Sequence, residues 1–368
     1  MTGSLLSPEA HLPEFPTRRD WGIGVVGAGF IVRDCHLPAY RDAGFPALAI
    51  TSRTHAKARE VAAARDVPVV HPTLERMLDD ERIEVVDVAV PPGEQLGVIR
   101  RILAHPRKVR GVLAQKPLAL SLAEARELVE SCEEAGVVLQ VNQNMRYDHS
   151  VRALKALLDR KALGEPVLAT IEMRAIPHWM PWARDGRSLS TFIMSIHHLD
   201  TLRYWLGDPE RVLASTGPDP RTKFPHADGI NLTILEYAGG ARGTCWDDVW
   251  AGPAREGAGA DLGVRWRVEG TEGLATGTIG WPSWPRRTPS TLDYSTTRDG
   301  GAWHRPRWPQ SWFPDAFAGT MAGLLLALEC GEPPDISGRD NLGTIALCEA
   351  VFSAAAEHRV VPFPPRGA

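Results

Sequence analysis

Gly22-Ile23-Gly24-Val25-Val26-Gly27-Ala28-Gly29-Phe30-Ile31-Val32 is the stretch on which the fold turns. Its first half is a short apolar run of the length of a buried strand. Its second half is a glycine pair followed by a helical pattern that continues through Tyr40. Gly27 permits a tight turn, and Gly29, with no side chain, lets another group approach the backbone closely. The helix behind them begins with unladdered N–H groups and a favourable dipole, which suits an anion. The third glycine of the full G-x-G-x-x-G pattern is replaced by Val32, so context must support the motif.

The context is a series of β-α units. Ala47–Thr51 predicts a second strand, followed by an alanine-rich helix from about Thr54 to Arg65. Val85–Val90 predicts a third strand, ending at Pro91-Pro92, and Glu94–His105 a helix. Val109–Ala114 and Val137–Val141 are further strands, with the helix Leu122–Ala135 between them. Strands alternating with helices of this length imply a doubly wound parallel sheet, and such a sheet binds ligands at the carboxyl edge of its strands. The glycine loop therefore predicts a dinucleotide site, with Gly27, Gly29, Phe30 and Ile31 around the pyrophosphate and Pro91 on the same edge. After the second strand, an NAD-selective site places an acidic residue on the ribose. Here the sequence is Thr51-Ser52-Arg53-Thr54. A hydroxyl beside a guanidinium suits a 2′-phosphate, so Ser52 and Arg53 predict NADP in preference to NAD.

The 368 residues suit two domains: 21–143 for the dinucleotide and 144–368 for substrate and assembly, with 1–20 as a flexible polar arm lacking a signal-peptide pattern. A net charge of −4 argues against a general nucleic-acid partner, and no apolar run is long enough for a membrane. Cys35, Cys132, Cys245, Cys330 and Cys348 are scattered, which fits free thiols in a reducing cytoplasm. Eleven of the twelve tryptophans follow residue 178, so the second half is expected to carry the recognition surface or a large aromatic core.

Two further segments carry chemistry. Ala114-Gln115-Lys116-Pro117-Leu118 places a lysine at a strand end on the ligand edge. Ile196-His197-His198-Leu199-Asp200 places a histidine and an aspartate three apart, hence on one helix face. With these residues the chain resembles the Gfo/Idh/MocA oxidoreductases, the group of glucose–fructose oxidoreductase and inositol dehydrogenase. Gln115-Lys116-Pro117 matches that family's E-K-P motif. His197 and Asp200 match the end of its D-x-G-x-H-x-x-D stretch. Asn142-Gln143-Asn144-Met145-Arg146-Tyr147 resembles its domain crossover, and Ser337-Gly338-Arg339-Asp340 its C-terminal helix start. The family's first aspartate falls at Ile193 and its glycine at Ser195, so the catalytic trio of many relatives is incomplete here.

The resemblance implies a second domain built on a large, mostly antiparallel open sheet that joins subunits into a homodimer or homotetramer. It implies an active site between the domains. The reaction would interconvert a secondary alcohol and a ketone on a sugar, cyclitol or other polyol. Lys116 and His197 are the expected catalytic groups, and both would touch substrate. Gln115, Lys116 and Asn144 are expected at the cofactor. Arg146, His178 and Trp179 are expected at the substrate, the last two on the aromatic loop Pro177–Arg184. Asp200 would orient His197. His198 reads as structural, and a His-His-x-x-Asp cluster without a third ligand site gives no metal centre. Each assignment competes with a plainer one: a surface lysine, a satisfied buried histidine, packing at a crossover, an aromatic clamp. The alternative chemistry is a lyase or glycosidase that oxidises, eliminates and reduces again on tightly bound NAD.

Overall fold

The computed structural model describes residues 5–175, 188, 190–222, 225–250, 261–283 and 285–363. They form two compact units: Pro13–Tyr147 with Phe313–Ile345, and Met1–Leu12 with Asp148–Trp312 and Ala346–Ala368.

The first unit holds a six-stranded parallel sheet of strands β1 (Ile23–Val26), β2 (Ala47–Thr51), β3 (Val69–Val70), β4 (Val85–Val88), β5 (Gly111–Gln115) and β6 (Val138–Asn142). Their order is β3-β2-β1-β4-β5-β6. This is the doubly wound arrangement expected, with its switch point between β1 and β4. The sheet interior reads as near-continuous aliphatic sequence because helices cover both faces: all four residues of β1 and of β4 are buried. The two-residue β3 carries too little pattern to be recognised from sequence.

The helix Ala316–Cys330, though late in the chain, belongs to this unit. Phe317, Met321, Leu324 and Leu325 join the same apolar core as Trp21, Ile23 and Val25. Gly111 of β5 makes room for it, since a Cβ there would lie 3.1 Å from Leu324 and 3.2 Å from Leu328. The continuous second domain expected over 144–368 is thus interrupted: the chain leaves the first unit at Tyr147, four residues beyond the expected boundary, and returns to it for Phe313–Ile345. The periodicity of an apolar helix does not reveal which of two cores it joins.

The second unit holds a nine-stranded sheet of β7 (Pro166–Arg174), β8 (Arg211–Gly217), β9 (Ile230–Glu236), β10 (Arg242–Asp248), β11 (Gly263–Gly270), β12 (Gly273–Ile279), β13 (Thr291–Thr296), β14 (Trp303–His304) and β15 (Val361–Pro362). The order is β14-β13-β12-β11-β7-β10-β9-β8-β15. β7 and β10 pair in parallel and the remaining neighbours antiparallel, so the sheet is mostly antiparallel as expected. Burial alternates along β9 and β10, leaving one face covered and one open. The turn at Gly239-Gly240 has φ of 81° and 94°, values that favour glycine.

The N-terminal residues are not a free arm where they are described. Leu6 and His11 are buried, and Phe15 packs on Phe45 with ring centroids 5.8 Å apart. Arg18 forks onto Glu84 and lies 3.9 Å over the Trp21 ring. The polar composition that predicts an arm hides a few anchoring residues spaced too widely to form a pattern.

His11 stacks on Trp308 at 4.7 Å and faces His149 at 5.5 Å. Burial, with His11 and Arg152 as neighbouring charges, pushes His149 down to about 3. Between that value and the ordinary histidine value of about 6.5 the unfolded chain binds the extra proton. Stability therefore falls as pH drops below about 6.5, progressively toward 3. Urea midpoints measured from pH 7 to pH 4 should fall less for His149→Gln than for the wild type; parallel slopes would remove His149 as a source of the acid sensitivity.

Candidate active site

The loop after β1 is built by one close approach. Gly27 has φ of 124°, its N–H donates to Thr51 O at 2.9 Å, and a Cβ there would stand 2.3 Å from the Ala89 carbonyl oxygen. No L-residue with a side chain fits both the dihedral and the space. Gly29 is exposed, and a Cβ there would meet nothing within 4 Å. The helical ladder starts with Arg33 N–H donating to Gly29 O at 3.0 Å. The amides of Phe30 and Ile31 lie ahead of that first bond, outside the ladder. An exposed, side-chain-free Gly29 at the start of a helix fits a dinucleotide pyrophosphate.

The remaining cofactor candidates follow other strands of the same parallel sheet and share its carboxyl edge. Ser52 and Arg53 follow β2, Pro91 follows β4, Lys116 follows β5 and Asn144 follows β6. Arg53 is 81% exposed and its guanidinium lies 2.9 Å from the Glu94 carboxylate, in the first turn of the helix Pro92–Ala104. Sequence reasoning missed this carboxylate, because it arrives from a different β-α connection. Gln115 turns its side-chain oxygen back to accept from Lys116 N–H at 2.8 Å. Lys116 is half-buried, and its peptide bond to Pro117 is cis. Asn144 is buried and donates to Asn142 O at 3.2 Å. Arg146 is buried with its guanidinium 2.6 Å from Asp340, so it ties the helix Gly338–Glu357 to the crossover turn. The expected substrate role of Arg146 thus meets a structural partner.

Behind the edge lies a buried polar cluster. Asp87 in the middle of β4 accepts from Tyr40 OH at 2.8 Å and contacts His36 Nδ1 at 2.6 Å, while Asn142 Nδ2 donates to His36 Nε2 at 2.9 Å. An Asn donor at Nε2 places the His36 proton on Nδ1, facing Asp87. Burial beside Asp87 pushes the Tyr40 hydroxyl well above its ordinary range and keeps it a donor.

In the second unit, the turn Thr191–Ser195 runs into the helix Ile196–Leu206, which carries His197, His198 and Asp200 as expected. His197 is buried, and its ring meets Trp312 edge-on at 5.1 Å. Trp281 stands 6.4 Å from Trp312, adding a second indole. His198 turns the other way: Nδ1 lies 2.9 Å from Asp247 Oδ1, and Ser195 donates to the same carboxylate. Asn231 donates to Ser195 and Thr191, each at 3.1 Å, and Asp228 accepts from Ser190 and Thr191 N–H at 3.1 and 2.8 Å. These contacts tie the start of the helix to β9 and β10. Ile193 is buried in the same turn, so no carboxylate stands at the family's first acidic position. His178 and Trp179 lie outside the described residues. Among the described residues no group of three or more His, Cys, Asp or Glu side chains is arranged to hold a metal, and no helix is long and apolar enough to cross a membrane.

A doubly wound sheet with this glycine loop, joined to a nine-stranded open sheet, defines a dinucleotide-dependent oxidoreductase. The family model for an oxidoreductase family with an NAD-binding Rossmann fold matches residues 21–143, and that for the GFO/IDH/MocA C-terminal domain matches residues 151–276. The chain belongs to the GFO/IDH/MocA family. It is similar to D-apiose dehydrogenase of Paraburkholderia graminis, 27% identical over 92% of this chain and 88% of that protein. It is also similar to D-xylose 1-dehydrogenase (NADP(+)) 2 of Haloferax volcanii, 25% identical over 90% of this chain and 96% of the relative. An oxidoreductase from Agrobacterium radiobacter, solved with NAD+, L-tartaric acid and magnesium, shares the fold with a TM-score of 0.79 at 23% identity, covering 94% of this chain and 98% of that one.

Proposed function

We propose that this oxidoreductase interconverts a secondary alcohol and a ketone on a sugar or related polyol. The observation that carries the reading is the shared carboxyl edge of the six-stranded sheet: glycine loop, ribose-end residues and Lys116 all lie along it. The two relatives named above act on pentoses by their names, and 1,5-anhydro-D-fructose reductase of Ensifer adhaerens, 26% identical, handles a related substrate. These names describe dehydrogenases and a reductase; none supports the oxidation–elimination–reduction scheme.

A bound nicotinamide supplies the hydride acceptor or donor. The chain must supply a proton acceptor for the hydroxyl and stabilise the negative charge that develops on its oxygen. Lys116 holds that oxygen with its ammonium. His197 is carried on a helix whose start is fixed by buried polar contacts, its ring packs edge-on against Trp312, and it exchanges the proton. Lys116→Ala should lower turnover by about 100-fold or more while retaining dinucleotide binding. His197→Ala should do the same and flatten the pH–rate profile. Assays of D-apiose, D-xylose and 1,5-anhydro-D-fructose with both cofactors decide it; unchanged turnover in either variant removes that residue from the mechanism.

The cofactor preference follows from Arg53. Its exposed pair with Glu94 is worth only about 0–1 kcal/mol. A charge-assisted contact to a 2′-phosphate is worth about 1.5–3 kcal/mol, so Arg53 exchanges its partner when NADP binds. The nearby Glu94 carboxylate reduces the gain, leaving a preference for NADP over NAD of about tenfold. Arg53→Ala should abolish most of that factor, and Glu94→Gln should widen it. Equal affinity losses for both cofactors in Arg53→Ala would mean that the guanidinium stacks on adenine and selects neither.

Assembly follows from the open sheet face. Leu232 and Ile234 of β9 are 50% and 47% exposed, and on that face they pair across strands with Trp246 and Leu213. Ser215 and Thr244 are their other cross-strand neighbours. An exposed apolar patch of this kind marks an interaction surface, and closed symmetry satisfies it with a second copy. Sedimentation should show a homodimer or homotetramer that Leu232→Asp dissociates; a 40.3 kDa monomer across micromolar concentrations would overturn the assignment.

A further inference from the structure

We propose that Gln95 is a positioning residue for Lys116: its buried carboxamide fixes the backbone turn from which the lysine projects. The proposal rests on the reading of Lys116 as an acid–base or charge-stabilising group. Gln95 lies on the helix Pro92–Ala104, where the inward stripe is Gln95, Ile99 and Ile102. The first of these is the place for an aliphatic residue by helical periodicity, yet a fully buried amide occupies it. Such a group is costly unless it is hydrogen-bonded.

Among the described residues Gln95 Oε1 has no hydrogen-bond partner, and every bond the amide makes leaves from Nε2 toward one place. Gln95 Nε2 donates to Gln115 O and Pro117 O at 2.7 Å each, and stands 3.4 Å from Leu118 O. All three acceptors are carbonyl oxygens, which settles which end of the amide faces them. The two short bonds use both protons of the NH2 group and bracket Lys116 on either side. These carbonyls lie beyond Val88↔Ala114, the last pair between β4 and β5, so the β4 ladder no longer reaches them. Pro117 brings no N–H of its own. The Lys116 N–H is taken by the Gln115 side chain at 2.8 Å. Two glutamine side chains, one local and one from the neighbouring β-α connection, thus do for this turn what strand neighbours do inside the sheet.

The consequence is geometric. The lysine is long and flexible at its tip, so its reach is set by where its Cα is held. A misplacement of about 1 Å at a reacting group can cost up to about 100-fold in rate. The same helix carries Glu94 one residue earlier, on the Arg53 side. Adjacent residues of one helix turn therefore touch the ribose-end arginine and the lysine loop.

The test compares turnover of D-apiose or D-xylose in Gln95→Met, Gln95→His, Lys116→Ala and the Gln95→Met/Lys116→Ala double variant. Methionine keeps the volume and removes both donors; histidine restores one N–H. Gln95→Met should lower kcat by roughly 10- to 100-fold with unchanged dinucleotide affinity, and Gln95→His should recover part of the loss. On the Lys116→Ala background Gln95→Met should cost nothing further, because its effect runs through the lysine. A merely structural role would multiply the loss equally on both backgrounds, and that result, or an unchanged kcat in Gln95→Met, overturns the proposal. Should Gln95→Met fail to fold, Gln95→His on the two backgrounds makes the same comparison. If Lys116→Ala itself turns over like the wild type, the reading of Lys116 fails first, whatever the Gln95 variants do.

Discussion

The first unit depends on the closeness of Gly27 to the Ala89 carbonyl. At the switch point of the sheet, the chain leaving β1 must pass over the end of β4 before entering its helix, and a Cβ at Gly27 would overlap that carbonyl. The dihedral of 124° and the missing side chain are both needed. Because β1 and β4 are central, their ends fix the carboxyl edge along which Arg53, Pro91 and Lys116 are arrayed. Val32, in the third position of the glycine pattern, lies behind this turn and joins the apolar core.

The first unit was largely legible because its signals are local. Aliphatic runs of strand length, helix-length intervals and a glycine pair report the parallel sheet without reference to distant residues. The lysine motif and the His197 helix were legible by resemblance, and the helix indeed spans Ile196–Leu206. What escaped was non-local. Glu94 reaches Arg53 from another connection, Arg146 pairs with a residue far along the chain, and Trp312 orients His197 from the end of the second unit. In the second sheet, β7, β9, β10, β11 and the short β13 show alternation, whereas β8 and β12 are rich in small and polar residues and lack it. Gln95 had a signal that went unread: an amide on the apolar stripe of an otherwise ordinary amphipathic helix.

Both units solve the same problem in the same way. A polar group needed near the chemistry cannot be left loose, and a buried one cannot be left unbonded. The first unit answers with His36, Tyr40, Asp87 and Asn142 behind the ligand edge. The second answers with Ser195, Asn231 and Asp247 beneath the His197 helix. Each cluster locks a helix that begins beside the functional residues, so rigidity is supplied by polar contacts where aliphatic packing alone would leave the helix start free to shift.

The helix Ala316–Cys330 has a consequence for how this protein is made. Phe317, Met321, Leu324 and Leu325 are fully buried in the first unit's core. At about 1.5–3 kcal/mol for each such side chain, their burial is comparable to the whole net stability of a typical domain. A nascent chain that has emerged only as far as Tyr147 therefore holds all six parallel strands but lacks the cover for one face of β5 and β6. Completion of the nucleotide-binding unit waits until Phe313–Ile345 have been synthesised. For the same reason, the matched segment 21–143 does not contain the whole core of the first unit.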